Sequence, residues 1–191
     1  MNENTKIKNT RSEIEHEAAA CRGLFEKKTR DYGTSWRILR LPSLTDQIFI
    51  KANRIRSVQE SGENRVGDDV RDEFVAMVNY AVMALMQGER LKEKGERCEM
   101  PLEETMRQYD EQMKRVLDLM MDKNHDYGEA WRQMRISSMV DLILMKLLRI
   151  KQIEDNNGRT LVSEGVEGGY MDIINYSLFC LVRLTEEKKE I

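Results

Sequence analysis

The chain has 191 residues, of which 34% are charged and 40% hydrophobic, and a net charge of −3 with the two signs interspersed. That balance suits a globular protein and argues against holding duplex DNA by bulk electrostatics. Cys21, Cys98 and Cys180 form no CxxC pair, which excludes a disulfide framework or zinc knuckle and points to a reducing compartment. No apolar run approaches the ~18 residues of a membrane span. The polar stretch Met1 to Arg11 lacks the apolar core of a signal peptide. The expected location is cytoplasmic.

Two prolines, thirteen methionines and abundant Glu, Lys, Arg and Leu favour helix throughout. Ser12 and Glu15 form a Ser-x-x-Glu capping box, which predicts a helix carrying Ile14, Ala18, Cys21 and Phe25 on one face. A polar turn over Arg30 to Gly33 follows. Pro42, Ser43 and Asp46 signal the next start, and Leu44, Ile48, Ile55 and Val58 give a second helix ending near Ser61-Gly62. A third helix after Gly67 carries Val70, Phe74, Met77, Ala81 and Leu85. Beyond Gly95 and Pro101 the plan recurs, with Met106, Tyr109, Met113, Val116 and Met120 on a fourth helix. Ser138 heads a fifth with Val140, Ile143, Leu147 and Ile150, and Asp155 to Gly158 is a loop. Tyr170, Ile173, Ser177 and Leu181 mark the last helix.

The recurrence is one of residues as well as rhythm. A shift of 95 positions lays Lys28-x-x-Asp31-Tyr32-Gly33-x-x-Trp36-Arg37 on Lys123-x-x-Asp126-Tyr127-Gly128-x-x-Trp131-Arg132. The same shift matches Asp46 with Asp141, Lys51 with Lys146, Arg54 with Arg149, and Ile48 and Ile55 with Ile143 and Ile150. Thirteen of the 28 positions from 28 to 55 are identical, where unrelated stretches share about two. One further inserted residue brings Asn79-Tyr80 onto Asn175-Tyr176. The expected architecture is all-α: a tandem duplication of a three-helix unit, repeats 12–94 and 101–187, packed as a pseudo-twofold helical bundle.

Pressure to keep a helix preserves apolar spacing and lets Lys, Asp and Asn drift, so the repeated polar residues are the candidates for function. Asp31, Gly33 and the aromatics, and likewise Asp126, Tyr127 and Trp131, are also what a helix-linking turn needs. Lys28 and Lys123 are not; a phosphate needs a lysine. On the following helix, Lys51 and Arg54 lie about 60° apart, with Asp46 about 80° from Arg54. An ion-paired solvent face is the alternative there. In the last helix Glu164, Asp172 and Asn175 fall within about 80° of arc, with Glu167 nearby. Oxygen ligands of this kind suit Mg²⁺, which borrows much of its shell from water and substrate phosphates. The first copy has Asp68 and Asn79 at the matching places, but Arg71 and Ala76 where the second has Glu167 and Asp172. Neither histidine recurs, and there is no Gly-rich phosphate loop.

The Lys-x-x-Asp-Tyr-Gly-x-x-Trp-Arg element, followed by Asp-x-x-x-x-Lys-x-x-Arg-Ile and later Asn-Tyr, resembles the nucleotide modification associated domain 1 family. That family is mostly bacterial and phage and often carries the unit twice. A more distant resemblance is to the all-α nucleoside triphosphate pyrophosphohydrolases of the MazG type, which hold Mg²⁺ between acidic helices. The first acidic helix of that pattern is missing here, because its place offers Asp141 with Lys146 and Arg149.

Together these readings lead to an expected nucleotide- or phosphate-binding helical protein, with Mg²⁺-dependent nucleotide hydrolysis as an extension. Lys123, Lys146 and Arg149 would meet phosphates, and Asp126, Tyr127, Trp131 and Asn175 would complete the ligand site. Asp141, Glu164 and Asp172 would be catalytic, with Glu164, Glu167 and Asp172 as metal ligands. In the first copy Lys28, Asp31, Asp46, Lys51, Arg54 and Asn79 would bind a second ligand or serve structure. The expected partner is a nucleotide or another phosphorylated small molecule, with no membrane and no bulk duplex DNA; self-association stays open. A non-catalytic scaffold is the alternative.

Overall fold

Three of the helix ends are set by glycine in the left-handed region, which residues with a Cβ adopt only at a cost. The computed structural model describes residues 3–64, 67, 69–92, 99–160 and 165–189. Within them six helices follow in order: α1 (Glu3–Tyr32), α2 (Leu41–Ser61), α3 (Val70–Lys92), α4 (Leu102–Tyr127), α5 (Ile136–Asp155) and α6 (Val166–Lys189). Short 3-10 turns, Ser35–Ile38 and Ala130–Gln133, precede α2 and α5. No strand occurs among the described residues. Gly33, Gly62 and Gly128 have φ of 63°, 68° and 56° and close α1, α2 and α4.

Two expected starts move. The first helix begins at Glu3, upstream of Ser12, so Ser12 lies inside a helix and cannot act as its cap. Thr10, on this earlier turn, is fully buried. Helix α2 begins at Leu41 behind Arg40, without a side-chain cap bond at Ser43. Proline tolerates a helix only where its missing N–H would have had no partner, so Pro42 fixes the first turn around itself. Helix α5 starts at the matching place, Ile136, ahead of Ser138. The Lys-x-x-Asp-Tyr segment is likewise not a loop: Lys28 to Tyr32, and Lys123 to Tyr127, form the last turns of α1 and α4.

All six helices feed one hydrophobic cluster. Its repeated members Ile48, Ile143, Ile55 and Ile150 are all buried, each contributing about 1.5–3 kcal/mol by leaving water. Helix α3 packs on α6, and α2 on α5. Every other main contact has its counterpart: α2 with α3 as α5 with α6, α1 with α6 as α4 with α3, and α1 with α3 as α4 with α6. At Gly169 the α6 backbone comes so near Ile150 of α5 that a Cβ would sit 2.9 Å from its side chain. No described helix is long and apolar enough to cross a membrane.

Candidate functional site

In the second repeat the end of α4, the 3-10 turn and one face of α6 enclose a cavity of about 370 Å³. Lys123 and Tyr127 reach it from one side of the α4 terminus because residues four apart stack on a helix. Gly128 then reverses the chain, and Trp131 folds back so that its Nε1–H donates to Asn124 Oδ1 at 3.0 Å. Asp172, Asn175, Tyr176 and Phe179, at spacings of three and four, supply the α6 wall.

The charged side of the site centres on Asp172. Lys146 of α5 reaches its carboxylate at 2.7 Å and Lys123 of α4 at 3.7 Å. Two cations on one anion leave these three residues net positive. Burial, and then the charge of Asp172, push the Tyr176 phenol above its ordinary pKa, so it stays a neutral hydrogen-bonding group. Deeper in, Asn124 and Asn175 are only 5% and 6% exposed. Asn124 Nδ2 and Asn175 Oδ1 have no hydrogen-bond partner among the described residues. A buried polar atom left unpaired costs about 1–3 kcal/mol.

Trp131 is not free to stack on a ligand. Phe179 lies parallel to its ring at 4.5 Å, and the Arg132 guanidinium sits 4.4 Å from the ring centre. Groups at these distances cannot share one face, so both faces are covered. Arg132 itself is held by Glu129, Glu186 and Glu13 at 2.9, 2.5 and 2.5 Å. The repeated Trp-Arg pair therefore builds the wall. Tyr127, 74% exposed, keeps a free ring at the rim.

In the first repeat the matching asparagine is paired at both ends of its amide. Asn79 donates to the Cys21 carbonyl at 3.1 Å and accepts from the Tyr109 hydroxyl at 2.9 Å. Tyr109 is fully buried and stacked on Phe25 at 4.6 Å. Its counterpart by the 95-residue shift is Ile14, which has no hydroxyl to offer. Where the second repeat has Asp172 the first has Ala76, and Lys28 is exposed. Lys51 instead meets Glu73 at 3.1 Å, and Arg54 pairs with the same carboxylate. Glu73 is replaced by Gly169 in the second repeat, where α5 leaves no room.

Several expected members lie elsewhere. Asp46 does not join Lys51 and Arg54: it meets Lys151 across the α2 and α5 contact at 2.5 Å. Asp141 faces Arg56 across the same contact at 3.7 Å, not the cavity. These two ion pairs are images of each other under the repeat, so packing between repeats is a reason for both aspartates to recur. Glu167 pairs with Arg115, and Glu164 lies outside the described residues. Asp31, Asp126 and Arg149 are exposed and do not line the cavity. No three His, Cys, Asp or Glu side chains gather at one point among the described residues. With Asp172 taken by two lysines and Glu167 by an arginine, the described donors do not fit Mg²⁺.

Recurrence alone missed Asn124 and Glu73, which stand opposite Thr29 and Gly169. The signal for Asn124 was a polar residue four after Met120, in register with the apolar face of α4.

The chain matches the description "nucleotide modification associated domain 1" twice, over residues 28–87 and 123–184, more than half its length. It belongs to that family. Each span of the nucleotide modification associated domain opens on the motif lysine, Lys28 or Lys123, and runs into the third helix of its repeat. The second contains every residue named above as lining the cavity. Comparison with curated proteins and with solved structures gave no match.

Proposed function

We propose that the second repeat binds a nucleotide in the cavity between α4 and α6, and that the first repeat is its structural partner. The observation that carries this reading is the cavity itself: a net-positive rim at Lys123, Lys146 and Asp172 beside the rings of Tyr127 and Tyr176. Its volume is that of small-molecule sites. The lysines meet the phosphate, and Tyr127 and Tyr176 flank the base. The family description supports a link to nucleotide modification. The symmetric set of helix contacts supports reading the two units, 12–94 and 101–187, as a fused counterpart of a dimer, the arrangement that a MazG-type resemblance implies. Hydrolysis through a protein-held metal has no support in the described carboxylates, and no step is assigned to one.

The test is a thermal-shift panel of nucleoside mono-, di- and triphosphates, with and without Mg²⁺. A ligand at a hundred times its Kd adds about 2.7 kcal/mol, raising Tm by about 5–10 °C for a chain of this size. The response is expected to disappear in Lys123→Ala and to survive in Lys114→Ala, a solvent-facing lysine paired with Asp118. A second reading, a scaffold without a ligand, is favoured by the ion pairs of Asp46 and Asp141, which explain part of the recurrence by packing alone. No shift with any nucleotide would leave that reading standing.

A further inference from the structure

Lys146 and its counterpart Lys51 each meet a carboxylate, but from different places in the repeat. In the first repeat it is Glu73 of α3, whose side chain is only 6% exposed and which Arg54 also holds. In the second, Gly169 stands in the place of Glu73, and Asp172 takes over one turn further along α6, where the first repeat has Ala76. That turn brings the carboxylate to the cavity wall, with its side chain 26% exposed. There it meets cations from two other helices: Lys146 Nζ on one oxygen at 2.7 Å and Lys123 Nζ on the other at 3.7 Å.

Building on the proposed nucleotide site, we propose that Asp172 is an internal anion that holds the lysine pair until a ligand takes its place, and that a terminal, dianionic phosphate displaces it where a phosphodiester does not. The charges carry the argument. Lys123 and Lys146 bring two positive charges, and Asp172 cancels one. Exchanging its single charge for the single charge of a phosphodiester replaces like with like and gains little. A phosphate monoester carries close to two negative charges above its second pKa of about 6, and so neutralises both lysines. Its outer oxygens accept from both ammonium groups, each of which has three donors. Asp172, already part-exposed, has water to turn to when released. Glu73, buried between Lys51 and Arg54, has no such exit, so the first repeat cannot make the same exchange. The second repeat thereby selects free nucleotides that end in a phosphate over cyclic nucleotides and the backbone of a nucleic acid.

The experiment is titration calorimetry on the full chain at pH 8 with uridine, cytidine, adenosine and guanosine 5′-monophosphates and with the methyl ester of each. The ester keeps base and sugar and removes one charge from the phosphate. The parent is expected to bind at least one monophosphate about tenfold or more tighter than its methyl ester, a comparison that needs no variant to fold. Asp172→Asn keeps the shape of the side chain and removes the competing charge. It is expected to bind that monophosphate about three- to thirtyfold tighter than the parent does, the worth of two part-exposed ion pairs. Glu167→Gln removes the same charge from a carboxylate that pairs with Arg115 and does not line the cavity, and is expected to leave the affinity unchanged. An Asp172→Asn chain that binds no tighter than the parent, an equal gain in Glu167→Gln, or an ester that binds the parent as well as its monophosphate would overturn the exchange while leaving the nucleotide site intact. Failure of every ligand to bind the parent and both variants would overturn both.

Discussion

Replacing Tyr109 by phenylalanine isolates the hydroxyl that pairs Asn79. The ring keeps its stacking on Phe25, and only the hydroxyl that donates to Asn79 Oδ1 is lost. Tyr109 is fully buried and Asn79 nearly so, and no water takes the vacated place without a cavity to hold it. Burial also holds the phenol pKa well above its ordinary value, so the hydroxyl stays a donor through the ordinary alkaline range. The loss is therefore the cost of an orphaned buried acceptor, about 1–3 kcal/mol, larger than the net value of an average exposed hydrogen bond. For a chain of this length the expected fall in Tm is about 2–12 °C. Urea denaturation of Tyr109→Phe, Asn79→Leu and the double variant completes the cycle, with an expected coupling of about 1 kcal/mol. A Tyr109→Phe loss below about 0.5 kcal/mol, or no coupling, would show that Asn79 does not depend on this hydroxyl. The contrast between a fully paired Asn79 and its counterpart Asn175 would then have lost its basis.

Asp46→Asn and Asp141→Asn should each change stability by less than about 1 kcal/mol in urea melts and leave nucleotide response intact, since both carboxylates are more than half exposed and paired across repeats. A variant that folds and abolishes the response would restore that aspartate to the ligand site. Glu154→Gln should stabilise the protein at neutral pH: burial raises the Glu154 pKa above its ordinary value, against bonds from Thr45 and Tyr170. A raised carboxyl binds protons more tightly folded than unfolded, so its contribution is full at acid pH and is lost as pH rises through the folded pKa. The difference between Glu154→Gln and parent, followed by thermal melts from pH 4 to 7, should grow with pH; a flat difference would refute the burial argument.

Sequence alone reached the helices because Ile14, Ala18, Cys21 and Phe25, like Val140, Ile143, Leu147 and Ile150, keep helical spacing and prove buried. It reached Lys123, Tyr127, Trp131, Asp172 and Asn175 as one group, and they do line one cavity. It could not separate recurrence caused by packing between repeats from recurrence kept for other reasons. Asp46 and Asp141 recur with a stated packing partner on the other repeat, and no one-dimensional pattern shows which face of α2 meets α5. Nor could a search for shared residues reach Asn124, which holds Trp131 but stands opposite Thr29. The residues just before Gly33 read as a turn because the glycine announces one without saying that the helix persists up to it.

Two identical subunits change together, since every substitution lands in both. Once the copies share a chain that constraint lifts, and Tyr109 and Ile14 can diverge. One asparagine then keeps a hydroxyl against its amide while its counterpart does without one. A substitution at Tyr109, carried by the second unit, is felt by Asn79 in the first.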